Sequence, residues 1–117
     1  DGGSGDYLSR TTVLFAYDSS ELDSESQAIA EAHAAFLRDN SSITVVLEGH
    51  ADERGTREYN LALGERRAQS VADVFMALGV SAANIENVSY GEENPVAEGH
   101  DDSAWRLNRR VEIRYDR

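Results

Sequence analysis

The sequence contains no cysteine, one proline, one tryptophan and one methionine in 117 residues, and all eleven of its basic residues are arginine. Without cysteine there are no disulfides, no thiol nucleophile and no cysteine metal site, and the redox compartment stays undecided. No apolar run approaches the roughly 20 residues of a membrane span, and no secretory signal pattern is present. Export or lipid anchoring would rest on a segment outside these residues. Positive charge is scarce too: 22 acids face 11 bases, for a net charge of −11. That balance opposes nucleic acid and anionic lipid as general partners, so any anionic group must be gripped by a local basic cluster. The all-arginine usage fits genomic composition or adaptation to salt.

What remains is globular. The chain is 40% hydrophobic and 28% charged, a folded composition, and its length suits one core. The opening "DGGSGD" is Gly/Ser-rich. Residues 1–10 are therefore expected to be a flexible linker or cloning remnant, and 11–117 a single domain.

Periodicity gives the order of elements. "TTVLFAY" (11–17) is β-branched and aromatic and predicts a strand. Ser24 and Gln27 form a capping-box pattern, so a helix is expected from about Ser24 to about Arg38, with Ile29, Ala32, Phe36 and Leu37 on one face. "ITVVLEG" (43–49) predicts a second, central strand. Thr56 is placed to cap a second helix with Glu58 in its first turn, and Gly79 to end it. A third strand is expected near 85–90, then a loop, a helical turn in "SAWRLN", and a last strand with Val111, Ile113 and Tyr115 on one side. The order β-α-β-α-β-β predicts an α/β two-layer sandwich: a mixed four-stranded sheet with two main helices on one face. The last connection is open to joining an antiparallel pair.

"GHADERGTREYNLALGERRA" (49–68) concentrates charge between a strand end and a helix. On a helical wheel of about 100° per residue, Leu61, Gly64, Ala68, Val71, Ala72 and Phe75 form an apolar arc. Arg66 falls opposite it, in solvent. Arg67 falls at the margin, where an arginine is half-buried and needs a defined partner. Because helical side chains lean toward the N-terminus, Arg67 points back over Asn60 toward the loop holding Asp52. The pattern fits an internal Asp52–Arg67 or Glu–Arg ion pair that only fixes the loop, and it leaves a ligand notch open. His33 reads as a satisfied core or edge histidine, and Trp105 as an aromatic covering the sheet end. His50, Asp52 and His100 match no strong metal-ligand spacing. Asp18 and Asp52 would suit glycosidase chemistry only if one had a raised pKa, and the neighbouring arginines act the other way.

These residues carry a resemblance. The 49–68 block, with "VLFAYDSSEL" before the first helix, "VSYGEENPV" after the third strand and "NRRVEI" in the last, resembles the OmpA-like peptidoglycan-binding domain. The "DERGT" and "EYNLALG" pieces resemble the peptidoglycan-associated lipoprotein (Pal) branch of that family. The resemblance covers about residues 12–115. It implies non-covalent, non-enzymatic binding to the meso-diaminopimelate of the peptidoglycan stem peptide, with no metal or cofactor. It further implies a monomer, docking on the β-propeller protein of the Tol system, and a lipid anchor at the periplasmic face of the outer membrane that this chain lacks. Carried over by motif position, Asp18 and Asp52 supply acid, Arg67 faces the ligand carboxylate and Arg54 flanks the notch. Asn60 bonds the ligand or orients Arg67, while Tyr17, Ala51 and Leu63 line the walls. The family most often has phenylalanine where Tyr17 stands. Alternatives are the wall-binding domain of a porin or flagellar stator, and a carboxylate-dependent peptidoglycan hydrolase.

Overall fold

In a computed structural model that describes residues 7–116, the chain runs β1 (Thr12–Leu14), α1 (Ser24–Asp39), β2 (Thr44–His50), α2 (Arg57–Ala77), a 3₁₀ turn (Ala82–Asn84), β3 (Ile85–Gly91), α3 (Asp102–Asn108) and β4 (Arg110–Asp116). The strands form one mixed sheet in the order β1-β4-β2-β3. β2 pairs parallel with β3, while β4 lies antiparallel to both β1 and β2. The final connection therefore does not join neighbours, as the sequence left open: β4 passes over to the centre. Its inward residues explain why, since Val111 and Ile113 are buried and a central strand covers both on each side.

The core lies between this sheet and the two long helices. Val13 and Phe15, Ile29, Ala34 and Leu37, Val45 and Leu47, Val71 and Phe75, and Val111 and Ile113 form one cluster. On the other face of the sheet Glu48 stands directly opposite Glu112. Each carboxylate has its own guanidinium, Arg114 on Glu48 and Arg110 on Glu112, both at 2.6 Å, which offsets the like-charge pairing.

Local chemistry differs from expectation in a few places. The strand expected over 11–17 is paired only at Thr12–Leu14, because the following carbonyls turn to meet buried arginines. The cap of α1 is Asp23, not Ser24: its carboxylate accepts from Ser26 N at 2.8 Å. The buried face of α1 is Ile29, Ala30, His33, Ala34 and Leu37, with Ala32 and Phe36 at its edge. His33 is tolerated inside because both ring nitrogens are used, Nε2 against the Arg10 carbonyl at 2.6 Å and Nδ1 against the Tyr115 hydroxyl. Of the expected linker, residues 1–6 lie outside the described residues. Residues 7–9 are helical, and Tyr7 packs against the core.

α2 is capped by Thr56, whose hydroxyl accepts from Tyr59 N at 3.1 Å, and stops at Gly79 with φ +103°. It crosses β2 backbone on backbone. A Cβ placed on Gly49 would lie 1.8 Å from the Gly64 carbonyl oxygen, a clash that only movement of the helix relieves. Gly49→Ala is expected to destabilise the domain by about 3 kcal/mol or more in urea denaturation; a loss under about 1 kcal/mol would contradict the close crossing.

Candidate ligand-binding site

Three segments meet beyond the C-terminal end of β2: the turn after β1, the loop from β2 to α2, and the first turns of α2. They enclose a cleft of about 120 Å³. The turn contributes Tyr17 and Asp18, and the loop contributes Ala51, Asp52 and Arg54. The helix contributes Asn60, Leu63 and Arg67. All eight residues singled out from the sequence thus line one cleft, joined by Gly55 and Tyr59.

Arg67 is buried further than its place on the wheel implied, with no exposed surface. Its guanidinium forms no ion pair with Asp52. Instead Nε donates to Ser19 O at 2.8 Å, one Nη to His50 O at 2.8 Å and the other to Ala16 O at 3.1 Å. One planar cation thus ties the turn after β1 to the end of β2 from a helix between them. Burial lowers its pKa to about 10, with Asp52 and Asp18 acting the other way, so it remains a cation at neutral pH. The arc of α2 that faces inward is accordingly rotated to include Asn60, Leu63 and Arg67, leaving Leu61 half-buried.

Asp52 is 4% exposed and is held by its own loop. Arg54 donates to it from Nε at 3.2 Å, from a terminal nitrogen at 2.9 Å and from the backbone N–H at 2.9 Å. Arg109 adds a second cation at 3.5 Å. Burial opposes ionisation of Asp52, but the hydrogen bonds and charges of Arg54, with the charge of Arg109, outweigh it and hold the carboxyl below its ordinary value. Asp18 sits in a left-handed backbone conformation, φ 53°, and its carboxylate accepts from the Tyr59 hydroxyl.

Other assignments change. Asn60 does not reach Arg67; its Nδ2 donates to Glu92 at 2.5 Å, anchoring α2 to the end of β3. Trp105 is half-buried, and its ring faces the Arg54 guanidinium. Tyr17 faces the same guanidinium while remaining 60% exposed, which leaves its hydroxyl able to meet water. His50 stacks on Tyr90, and burial, followed by the charge of Arg110, lowers its pKa to about 4. Among the described residues, no three His, Cys, Asp or Glu side chains converge to hold a metal. Sequence reasoning missed Arg109, Tyr59 and Glu92. All three lie inside the stretches that carry the family resemblance, but nothing in their spacing places them at the cleft.

Residues 14–109 match the OmpA family. The chain belongs to the OmpA family. Among similar curated proteins, the peptidoglycan-associated lipoprotein of Pseudomonas aeruginosa is 56% identical over 104 residues, covering 89% of this chain and 61% of that protein. That of Pasteurella multocida is 48% identical over 104 residues, covering 89% and 69%. The crystal structure of the peptidoglycan-associated lipoprotein from Burkholderia pseudomallei superposes with a TM-score of 0.91 at 42% identity, covering 94% of this chain and 93% of that one. The C-terminal domain of Helicobacter pylori MotB shares the fold, with a TM-score of 0.84 at 22% identity over 92% and 85% of the two chains. The chain spans about three fifths of the length of the Pseudomonas relatives.

The contrast between adjacent arginines is testable by stability. Arg67→Ala strands three carbonyls and is expected to cost about 3–5 kcal/mol in denaturation, whereas exposed Arg66→Ala should stay within about 0.5 kcal/mol. Equal effects would contradict the tie.

Proposed function

We propose that the cleft binds peptidoglycan by clamping the side-chain end of meso-diaminopimelate in the stem peptide, with no catalytic step. The observation that carries the reading is the pairing of opposite charges in one small, half-dry space. Arg54 and Arg109 pair with Asp52, Arg67 lines the same cleft on its carbonyls, and Asp18 lies at the rim, in a chain whose net charge is −11. The end of diaminopimelate is a zwitterion, an ammonium and a carboxylate on one carbon. An acid beside planar guanidinium donors matches it in charge and shape. Arg67, locked by three carbonyls, supplies a fixed positive field for the ligand carboxylate, and Asp52 and Asp18 supply the counter-charge for its ammonium. Tyr17, Leu63 and Ala51 form the walls, and Asn60 shapes the floor through Glu92.

The relatives named as peptidoglycan-associated lipoproteins support this reading, and with it a role in tethering the outer membrane to the wall from the periplasmic side. A lipid anchor outside this chain, docking on the β-propeller protein of the Tol system and a monomeric state belong to the same proposal. A carboxylate hydrolase fits less well. Asp52 is held ionised by Arg54 and Arg109 despite its burial, the opposite of the raised pKa a general acid needs.

Sedimentation with purified diaminopimelate-type sacculi is expected to carry the protein down without releasing soluble fragments. Asp52→Asn should weaken binding of a diaminopimelate stem peptide on the order of tenfold to a hundredfold, because a charge-assisted contact becomes neutral. A lysine-type stem lacks the terminal carboxylate and should lose at least as much. Comparable affinities for the two stems in calorimetry would sink the zwitterion clamp.

A further inference from the structure

Arg54 lies on a surface loop beside Gly55, whose φ is +102°, and its side chain is 32% exposed. A long cation there would ordinarily sample many rotamers. Here two aromatic faces fix it. The guanidinium carbon lies 4.0 Å from the Trp105 ring centre and 4.1 Å from that of Tyr17, within the range of cation–π attraction. Its edge is bound to Asp52. The indole is itself held: Nε1–H donates to Glu53 at 2.8 Å, and the same carboxylate oxygen lies 2.5 Å from His100 Nδ1. Glu53 and Arg54 are neighbours, so the loop grips Trp105 by its nitrogen and is gripped in turn on its face.

The placement of α3 makes this a unit. Trp105 and Arg109 are four residues apart, on one side of the helix and its C-terminal cap. From there Trp105 meets Arg54 and Arg109 meets Asp52, so one element contacts both members of the ion pair.

We propose that Trp105 is a positioning residue for the cleft: it holds the Arg54 guanidinium in the plane that meets Asp52. Arg54 then keeps its cation at the rim and Asp52 in its orientation before any ligand arrives, so the ordering cost is met in folding and not in binding. The inference rests on the reading of the cleft as a ligand site, but the conformation of Arg54 is measurable without ligand.

The test has two readouts. In NMR spectra of the ligand-free protein, the Arg54 Nε–H signal should be shifted by the ring currents and protected from exchange. Trp105→Ala should move it part of the way toward the position of a free arginine and speed its exchange, the remaining shift coming from Tyr17 and Asp52, while Trp105→Phe, which keeps an aromatic face, should retain most of the shift. In titrations with a diaminopimelate-type stem tripeptide, Trp105→Ala should weaken binding about threefold to thirtyfold and Trp105→Phe less than about threefold. On an Arg54→Ala background, Trp105→Ala should then add less than about twofold. An Arg54 signal indifferent to Trp105→Ala, or an equal loss of affinity in both backgrounds, would overturn the proposal. If the unaltered protein fails to bind the tripeptide while the signal behaves as stated, the ligand assignment fails and the positioning role stands.

Discussion

One buried guanidinium organises the functional end of this domain. Arg67 has no exposed surface, and its three hydrogen bonds all go to backbone carbonyls from two separate segments, the turn after β1 and the end of β2. A carbonyl turned inward without a partner is costly. The turn at 16–19 is therefore stable in this shape only because an arginine from α2 meets it. The helix is delivered to the right depth by the Gly49–Gly64 crossing, where neither residue has room for a side chain. Arg109 repeats the device one strand away, donating to the Phe15 carbonyl at 2.9 Å. The walls of the cleft are thus fixed by cations bound to backbone, which leaves the positive field in place.

Asp52 belongs to the same arrangement from the opposite sign. It is nearly buried, it is ionised because Arg54 and Arg109 face it, and its backbone neighbourhood is a tight loop closed by Gly55. A site built this way suits recognition better than proton transfer. Its charges are fixed in advance, as selective binding of a zwitterion requires, whereas acid catalysis would need a carboxyl poised near neutral pH. A larger hollow of about 460 Å³ adjoins the cleft through Ala51, lined by Glu53, Glu92, Glu98 and His100.

The fold was legible in the sequence because its signals are local. Thr56 as cap, Gly79 as stop, and the alternation of Val111, Ile113 and Tyr115 each follow from one short stretch. The wheel separated buried Arg67 from exposed Arg66 on geometry alone. It understated the burial, because the partners of Arg67 are carbonyls from residues up to 51 positions away, and no periodicity reports where a carbonyl points. Non-local pairing hid the rest. The central place of β4, the Asn60–Glu92 bond and the stack of Trp105 on Arg54 depend on segments brought together only by the sheet order. The eight cleft residues come together only through resemblance to a family; spacing by itself reaches Asp52, Asn60 and Arg67 and favours an internal ion pair.

The binding proposal turns on where a wall peptide sits. A crystal structure of the domain with a diaminopimelate-containing stem peptide tests it most directly. The terminal carboxylate is expected on the side of the cleft nearest Arg67 and the ammonium against Asp52 or Asp18, with Arg67 still bound to its three carbonyls. A peptide seated in the neighbouring hollow with the cleft empty, or bound with its charged end in solvent, would contradict it.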